Sequence, residues 1–160
     1  MRGTASYRQI LWLVTLAATA IIATALASEI FGGLVPCALC LQQRIPYYIA
    51  VPVLVLMLLA NDKAPPALLG LVGLVFAVGA GLAGYHAGVE YGWWAGPAAC
   101  GAGANLPSSL AELNEALKTA KVVRCDEAAF SLFGLSMAGY NFIASLVLSG
   151  LCVAGLRARR

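Results

Sequence analysis

Five cysteines carry the reactive chemistry open to this 160-residue chain. Cys37 and Cys40 stand two residues apart, a spacing associated with reversible disulfides and lowered thiol pKa values. A bridge over so short an interval removes little loop entropy and adds little stability, so reactivity is the better reason for it. Cys100 and Cys125 would close a long loop carrying Gly101 and Gly103, either as a structural staple or as a second exchanging pair on a glycine-bearing tether. Cys152 lies between Gly150 and Gly155 and reads as a small apolar filler. Zinc is the other use of four cysteines, but structural zinc takes two close pairs and only one pair here is close, so no metal is expected.

Two further residues join the sulfur chemistry. Positions 37, 40 and 44 are i, i+3 and i+7, so Arg44 shares a helical face with both cysteines. A guanidinium one turn from Cys40 favours its thiolate, as does a helix N-terminus. An arginine snorkelling at the edge of an apolar span is the plainer alternative, but it leaves the shared face unexplained, and charges at that depth are usually paired. His86 is the sole histidine, with Glu90 at i+4 placed to orient its ring. Arg44 and His86 together offer hydrogen-bond donors to a flat ligand with two carbonyl oxygens; a histidine bonded to interfacial water is the alternative.

The elements that hold these residues follow from composition. Hydrophobic residues make up 61% and charged residues 11%, against about 45–50% and about 25% in soluble chains. Mean hydropathy is +0.86. So few charges do not cover a soluble surface, and so apolar a chain is not disordered. A net charge of +3 gives no footprint for nucleic acid. The chain is read as a membrane protein.

A span needs roughly 20 mostly apolar residues. Stretches free of Asp, Glu, Lys and Arg occur at 9–28, 45–61, 64–89 and 128–156. They predict an all-α membrane protein of one domain, 1–160, a four-transmembrane-helix bundle with helices at about 10–27, 45–60, 66–88 and 134–156. Loops are expected at about 28–44 and 89–133. The uncharged run at 92–111 is broken by Gly92, Gly96, Pro97, Gly101, Gly103 and Pro107 and reads as loop. Pro46 suits a first helical turn, and Pro52 predicts a kink. The short turn at 61–66 pairs helices two and three as an antiparallel hairpin. Gly73, Ala77, Ala80, Gly81, Gly84 and Gly88 form a small-residue stripe for helix packing.

Arg2, Arg8, Lys63, Arg157, Arg159 and Arg160 fall at one end of this bundle, which places both termini inside and both loops outside. Arg2, Arg8 and Ala25-Leu26-Ala27 imitate a cleavable leader, but the apolar run at 10–27 exceeds the usual ~7–15 residues, so a retained helix is expected. Leu106, Leu110, Leu113 and Leu117, with a capping box at Ser109 and Glu112, predict a short amphipathic interfacial helix in the second loop. Lys121 and Arg124 before Cys125 oppose Asp126 and Glu127 after it.

The run Cys37-Ala38-Leu39-Cys40-Leu41-Gln42-Gln43-Arg44 resembles the DsbB family of disulfide bond formation proteins. Tyr85-His86, Cys100, Cys125 and Phe133-Gly134-Leu135-Ser136-Met137 extend the resemblance over essentially the whole chain. It implies a quinone-dependent protein thiol oxidoreductase in the bacterial inner membrane, with both loops periplasmic. Such an enzyme reoxidises a DsbA-like thioredoxin-fold dithiol oxidase and passes the electrons to ubiquinone or menaquinone, in support of disulfide formation in exported proteins. By the same resemblance, Cys100 and Cys125 meet the partner, Cys100 through a mixed disulfide. Cys37 and Cys40 then reoxidise that pair, and Cys40, as thiolate beside Arg44, reduces the quinone with Arg44 and His86 at its ring. The vitamin K epoxide reductase-like family shares four helices, a Cys-x-x-Cys and quinone chemistry. The motif's place before helix two, with Arg44 following, argues against it. A non-enzymatic four-span protein braced by two disulfides is the rival from another class.

Overall fold

The computed structural model describes residues 2–60, 63–97, 109 and 124–159. Among the described residues four helices, each long and apolar enough to cross a membrane, form a bundle: α1 (Arg2–Ile30), α2 (Ala38–Ala60), α3 (Pro66–Glu90) and α4 (Met137–Ala158). Two short strands, β1 (Ser131–Leu132) and β2 (Leu135–Ser136), precede α4. The expected amphipathic helix around 106–117, and Cys100 with it, lie outside the described residues.

The helices begin and end where local chemistry dictates. α1 runs past its expected end at 27 and stops only before Gly33, whose φ of 63° is the left-handed conformation that ends helices. α2 starts at Ala38, well before the expected 45. A charge-free criterion discarded the turns containing Arg44, but the guanidinium is paired with Glu29 of α1, and a paired charge does not end a helix. The helix then runs unbroken through Pro46 and Pro52, so Pro46 lies beyond the first turn. Its ring fills the space left by Gly79 of α3, where a Cβ would lie 3.1 Å from the proline Cγ. α3 begins at Pro66, with Pro at its first position. It ends in a Schellman motif: Gly92 at φ 72°, Trp93 N–H donating to the Gly88 carbonyl (2.8 Å) and Gly92 N–H to that of Val89 (3.1 Å).

Helix four starts at Met137, not at 134. Phe133 and Gly134 both have positive φ (50° and 79°), which makes the two-residue turn of an antiparallel hairpin pairing Ser131 with Ser136 and Leu132 with Leu135. Ser136 then caps α4, its hydroxyl accepting from Gly139 N–H at 3.1 Å. The Tyr91 hydroxyl donates to the Gly134 carbonyl and ties this hairpin to the end of α3.

Packing closes the helices into a ring in which α1 meets α2 and α4, and α3 meets α2 and, most extensively, α4. Small residues set the α3–α4 approach. A Cβ at Gly73 would lie 3.0 Å from that of Cys152, and one at Gly84 would lie 3.1 Å from the Phe142 ring. The predicted stripe therefore divides, since Gly81 and Ala77 face outward. Val14, Ala50, Leu54, Leu69, Phe76 and Cys152 fill the interior, whereas Leu16, Leu56, Leu59, Leu74 and Val147 are exposed, as side chains facing hydrocarbon must be. Arg159 donates to the Ala64 carbonyl at 2.7 Å and lies over the Tyr7 ring. This gathers the start of α1, the α2–α3 turn and the end of α4 at one end of the bundle. Cys37, His86 and the hairpin occupy the other.

Gly155 packs where α1, α3 and α4 meet; a Cβ there would lie 2.9 Å from Leu69 and 3.2 Å from Ile10, while one at Gly150 would touch nothing within 4 Å. Gly155→Val is expected to cost about 1–3 kcal/mol by overpacking. Gly150→Val should stay within about 0.5 kcal/mol. Thermal unfolding in detergent distinguishes them, and equal midpoints for the two variants would contradict this packing.

Candidate active site

Cys37 sits immediately before α2 and acts as its cap through sulfur. The Cys40 backbone N–H donates to Cys37 Sγ at 3.2 Å, and Leu41 N–H donates to the Cys37 carbonyl at 3.1 Å. One helical turn brings the Cys40 sulfur to 2.9 Å from that of Cys37, the two being free thiols. His86, on the last turns of α3, approaches from the side, with Nε2 3.6 Å from Cys37 Sγ. Cys37 is held well below an ordinary thiol, at about 4. Its hydrogen bond with the Cys40 thiol is the largest cause; burial opposes it, and His86 and the Cys40 N–H add to it.

Within this pair the ionised form is favoured on Cys37, beside the helix N–H groups and His86, while the resemblance puts the thiolate on Cys40 beside Arg44. Arg44 itself turns to Glu29, its Nη1 donating to Oε2 at 2.5 Å. Arg44 nevertheless lines the same cavity as the sulfur pair and His86, a space of about 540 Å³. The apolar walls of that cavity include Ala20, Ile21 and Ala25 of α1 and Ala144 of α4.

Behind His86 runs a chain of polar side chains that the sequence reading did not single out. The ring Nδ1 meets the Gln43 amide nitrogen, the Gln43 oxygen accepts from Asn141 Nδ2 at 2.7 Å, and Asn141 Oδ1 accepts from the Tyr47 hydroxyl at 2.6 Å. Ser145 Oγ lies 3.0 Å from that hydroxyl. Gln43 and Tyr47 share one side of α2, and Asn141 and Ser145 share one side of α4, so the chain crosses the ring of helices. It positions the imidazole from Nδ1, while Glu90, expected beside the ring from its i+4 spacing, meets the other nitrogen, its Oε1 3.7 Å from Nε2. Gln43 and Asn141 carried a usable sign, since a polar amide within an apolar span usually faces the bundle interior.

Cys125 is disulfide-bonded. It is buried in one cluster with Cys37, Leu39 and Val89, and Cys40 packs against the same cluster. The segment before β1 thus brings the disulfide of the second loop to the mouth of α2. Arg124 forms a two-pronged pair with Asp126 at 2.6 and 3.0 Å, which settles the opposed charges there into an exposed ion pair. The Asp126 carboxyl is held below the usual range by that guanidinium. Cys152 is a free thiol wholly buried between α3 and α4, as a filler would be. Of the predicted site residues, Cys37, Cys40, His86 and Cys125 converge, Arg44 borders them, and Cys100 lies outside the described residues.

Because its pKa is lowered, Cys37 keeps its thiolate from neutral pH down to about 4 and loses it only below that. The ultraviolet thiolate absorbance of the reduced protein, minus that of Cys37→Ser, should titrate there. In His86→Ala the midpoint should move upward toward an ordinary thiol. A midpoint near that of a free thiol in the unmutated protein would contradict the arrangement.

Comparison with known proteins follows the same lines. No solved structure matches the chain. An uncharacterized protein of Rickettsia prowazekii is 25% identical over 138 residues, covering 85% of this chain and 79% of its own. The family model described as disulfide bond formation protein DsbB matches residues 7–155, from the first span through the fourth and across both cysteine regions. With its four spans and its sulfur pair at a helix mouth, the chain belongs to the DsbB family, the membrane oxidoreductases of disulfide bond formation.

Proposed function

We propose that this protein reoxidises a DsbA-like thioredoxin-fold dithiol at the periplasmic face of the bacterial inner membrane and delivers the electrons to a membrane quinone. The observation that carries the proposal is the burial of disulfide-bonded Cys125 against the free Cys37–Cys40 pair at the edge of a cavity with apolar walls. Thiol–disulfide exchange needs a thiolate close to a disulfide sulfur, and this packing supplies the closeness.

The chemistry balances in three steps. The partner's dithiol reduces the loop disulfide, taken here as Cys100–Cys125, because Cys37, Cys40 and Cys152 are free. Cys100 forms the mixed disulfide with the partner. Exchange with a Cys37–Cys40 bridge then restores the loop disulfide and leaves Cys37 and Cys40 as dithiol. The quinone, when bound, accepts two electrons and two protons. Cys37 holds the negative sulfur, Cys40 a proton against it, and His86 a second exchangeable proton beside Cys37. A cavity of about 540 Å³ is of ordinary ligand size, and its one-sided polarity suits a flat ring with an apolar tail. Arg44, fixed by Glu29, and His86, fixed by Gln43, border that ring space.

Sidedness follows from charge. Lys63, Arg157 and Arg159 lie at the end opposite the cysteines, which makes that end, with both termini, cytoplasmic in this reading.

Adding a reduced thioredoxin-fold dithiol to the purified protein with quinone should produce quinol, read as an absorbance change. A protein merely braced by disulfides would leave the quinone spectrum unchanged. Cys37→Ser should reduce turnover to background while the helical circular dichroism is kept; normal turnover in it would reject the proposal. Arg44→Ala should raise the KM for quinone about tenfold, equivalent to about 1.4 kcal/mol. An unaltered quinone dependence would remove Arg44 from the site.

A further inference from the structure

Thiol–quinone chemistry leaves one group beside the sulfur pair unused. The Glu90 side chain is 6% exposed, its Oε1 lies 3.7 Å from His86 Nε2, and its Oε2 has no hydrogen-bond partner. Among the described residues no other buried side-chain oxygen or nitrogen lacks one. A carboxyl oxygen buried in this way is costly unless something positive meets it.

We propose that Cys37, Cys40, His86 and Glu90 form a four-ligand site for a thiophilic divalent cation, of which Zn2+ is the best match, available only while the sulfur pair is reduced. Structural zinc takes two close ligand pairs, and the sequence shows one such pair of cysteines. The second pair is His86 and Glu90, at i and i+4 on α3, brought to the first by the packing of α3 on α2.

The spacing fits. Bonds of about 2.0–2.3 Å in a tetrahedron separate ligands by about 3.3–3.8 Å. Cys37 Sγ and His86 Nε2 are 3.6 Å apart, and His86 Nε2 and Glu90 Oε1 are 3.7 Å apart. One ligand atom from each of Cys37, Cys40 and His86 lies within 4.8 Å of the other two. The sulfurs, at 2.9 Å, must open, as two repelling thiolates would, and the Glu90 carboxylate, which stands outside that group of three, must turn from His86 toward the sulfurs to complete the four.

Binding releases the protons held on the sulfurs and needs a bare lone pair on His86 Nε2, so Nδ1 must carry the ring proton and donate it. The side chain behind it allows that. Gln43 and Asn141 are amides whose oxygen and nitrogen exchange places by a half-turn, and the Tyr47 and Ser145 hydroxyls donate in either sense. The chain can therefore reverse as a unit and supply the second-sphere hydrogen bond that metal-bound histidines use. A cation held there keeps both sulfurs from bridging and so halts disulfide chemistry at the reduced state. The site itself asks only for free thiols and does not depend on quinone.

The test uses full-length protein in detergent with Cys100, Cys125 and Cys152 replaced by serine, so that only the proposed sulfurs remain. Anaerobic Co2+ titration of the reduced form should develop tetrahedral visible bands with a thiolate-to-cobalt charge-transfer band. These should saturate at one ion per chain and bleach on adding Zn2+. Oxidation to the Cys37–Cys40 disulfide should abolish them. Glu90→Gln should weaken binding at least tenfold, and His86→Ala should lose the tetrahedral bands, each with unchanged circular dichroism. Should His86→Ala or Glu90→Gln not stay folded, X-ray absorption of the zinc-loaded, otherwise unmutated reduced protein decides, with two sulfur and two nitrogen or oxygen ligands expected. Absent charge transfer, affinities unchanged in both variants, or a four-sulfur shell would overturn the proposal.

Discussion

A sulfur atom serves as the N-terminal cap of α2. The first turn of a helix has N–H groups with no partner inside the helix, and Cys37 accepts one of them through Sγ rather than through an oxygen. Negative charge on that sulfur is favoured by the same N–H and by the helix dipole, so starting the helix and activating the thiol are one physical event. Everything downstream takes its register from that start. Cys40, Gln43, Arg44 and Tyr47 follow at intervals of three and four residues and so face the interior or the cavity together.

The protein is polar inside and apolar outside at the level of this site. Hydrocarbon provides no hydrogen bonds, so each polar side chain within the spans must find a partner in the protein. Gln43, Asn141, Tyr47 and Ser145 satisfy one another across the ring of helices, and the imidazole of His86 ends their chain. Packing alone would leave the ring free to turn. The chain holds it with Nε2 toward Cys37. Arg44 is treated likewise, its charge neutralised by Glu29 from α1 so that it can border the cavity without ending α2.

The β1–β2 hairpin and the Schellman end of α3 do for the loop what the polar chain does for the ring. Tyr91 bonds the hairpin to α3, and the segment before the hairpin lays Cys125 into the cluster of Cys37, Leu39 and Val89. A disulfide is thereby buried beside a dithiol at the edge of a cavity with apolar walls. The same packing brings the His86 imidazole to the sulfur pair, with Glu90 on its far side.

The spans, the reactive pair and its histidine were legible in the sequence because they depend on local quantities: runs of apolar residues, a two-residue interval between cysteines, a solitary imidazole in an apolar run. Arg44 was legible as a member of the sulfur face, but not its bond to Glu29, because that partner comes from another helix and from the end of the apolar stretch. Helix boundaries went astray where a contact overrode composition, at Ala38 through that ion pair and at Met137 through a turn with two positive φ values. The place of Gln43 and Asn141 behind His86, the approach of His86 to Cys37, and the burial of Cys125 against the sulfur pair were decided by tertiary structure alone. Each depends on how near atoms of distant segments come, and a single chain's local pattern does not encode that distance.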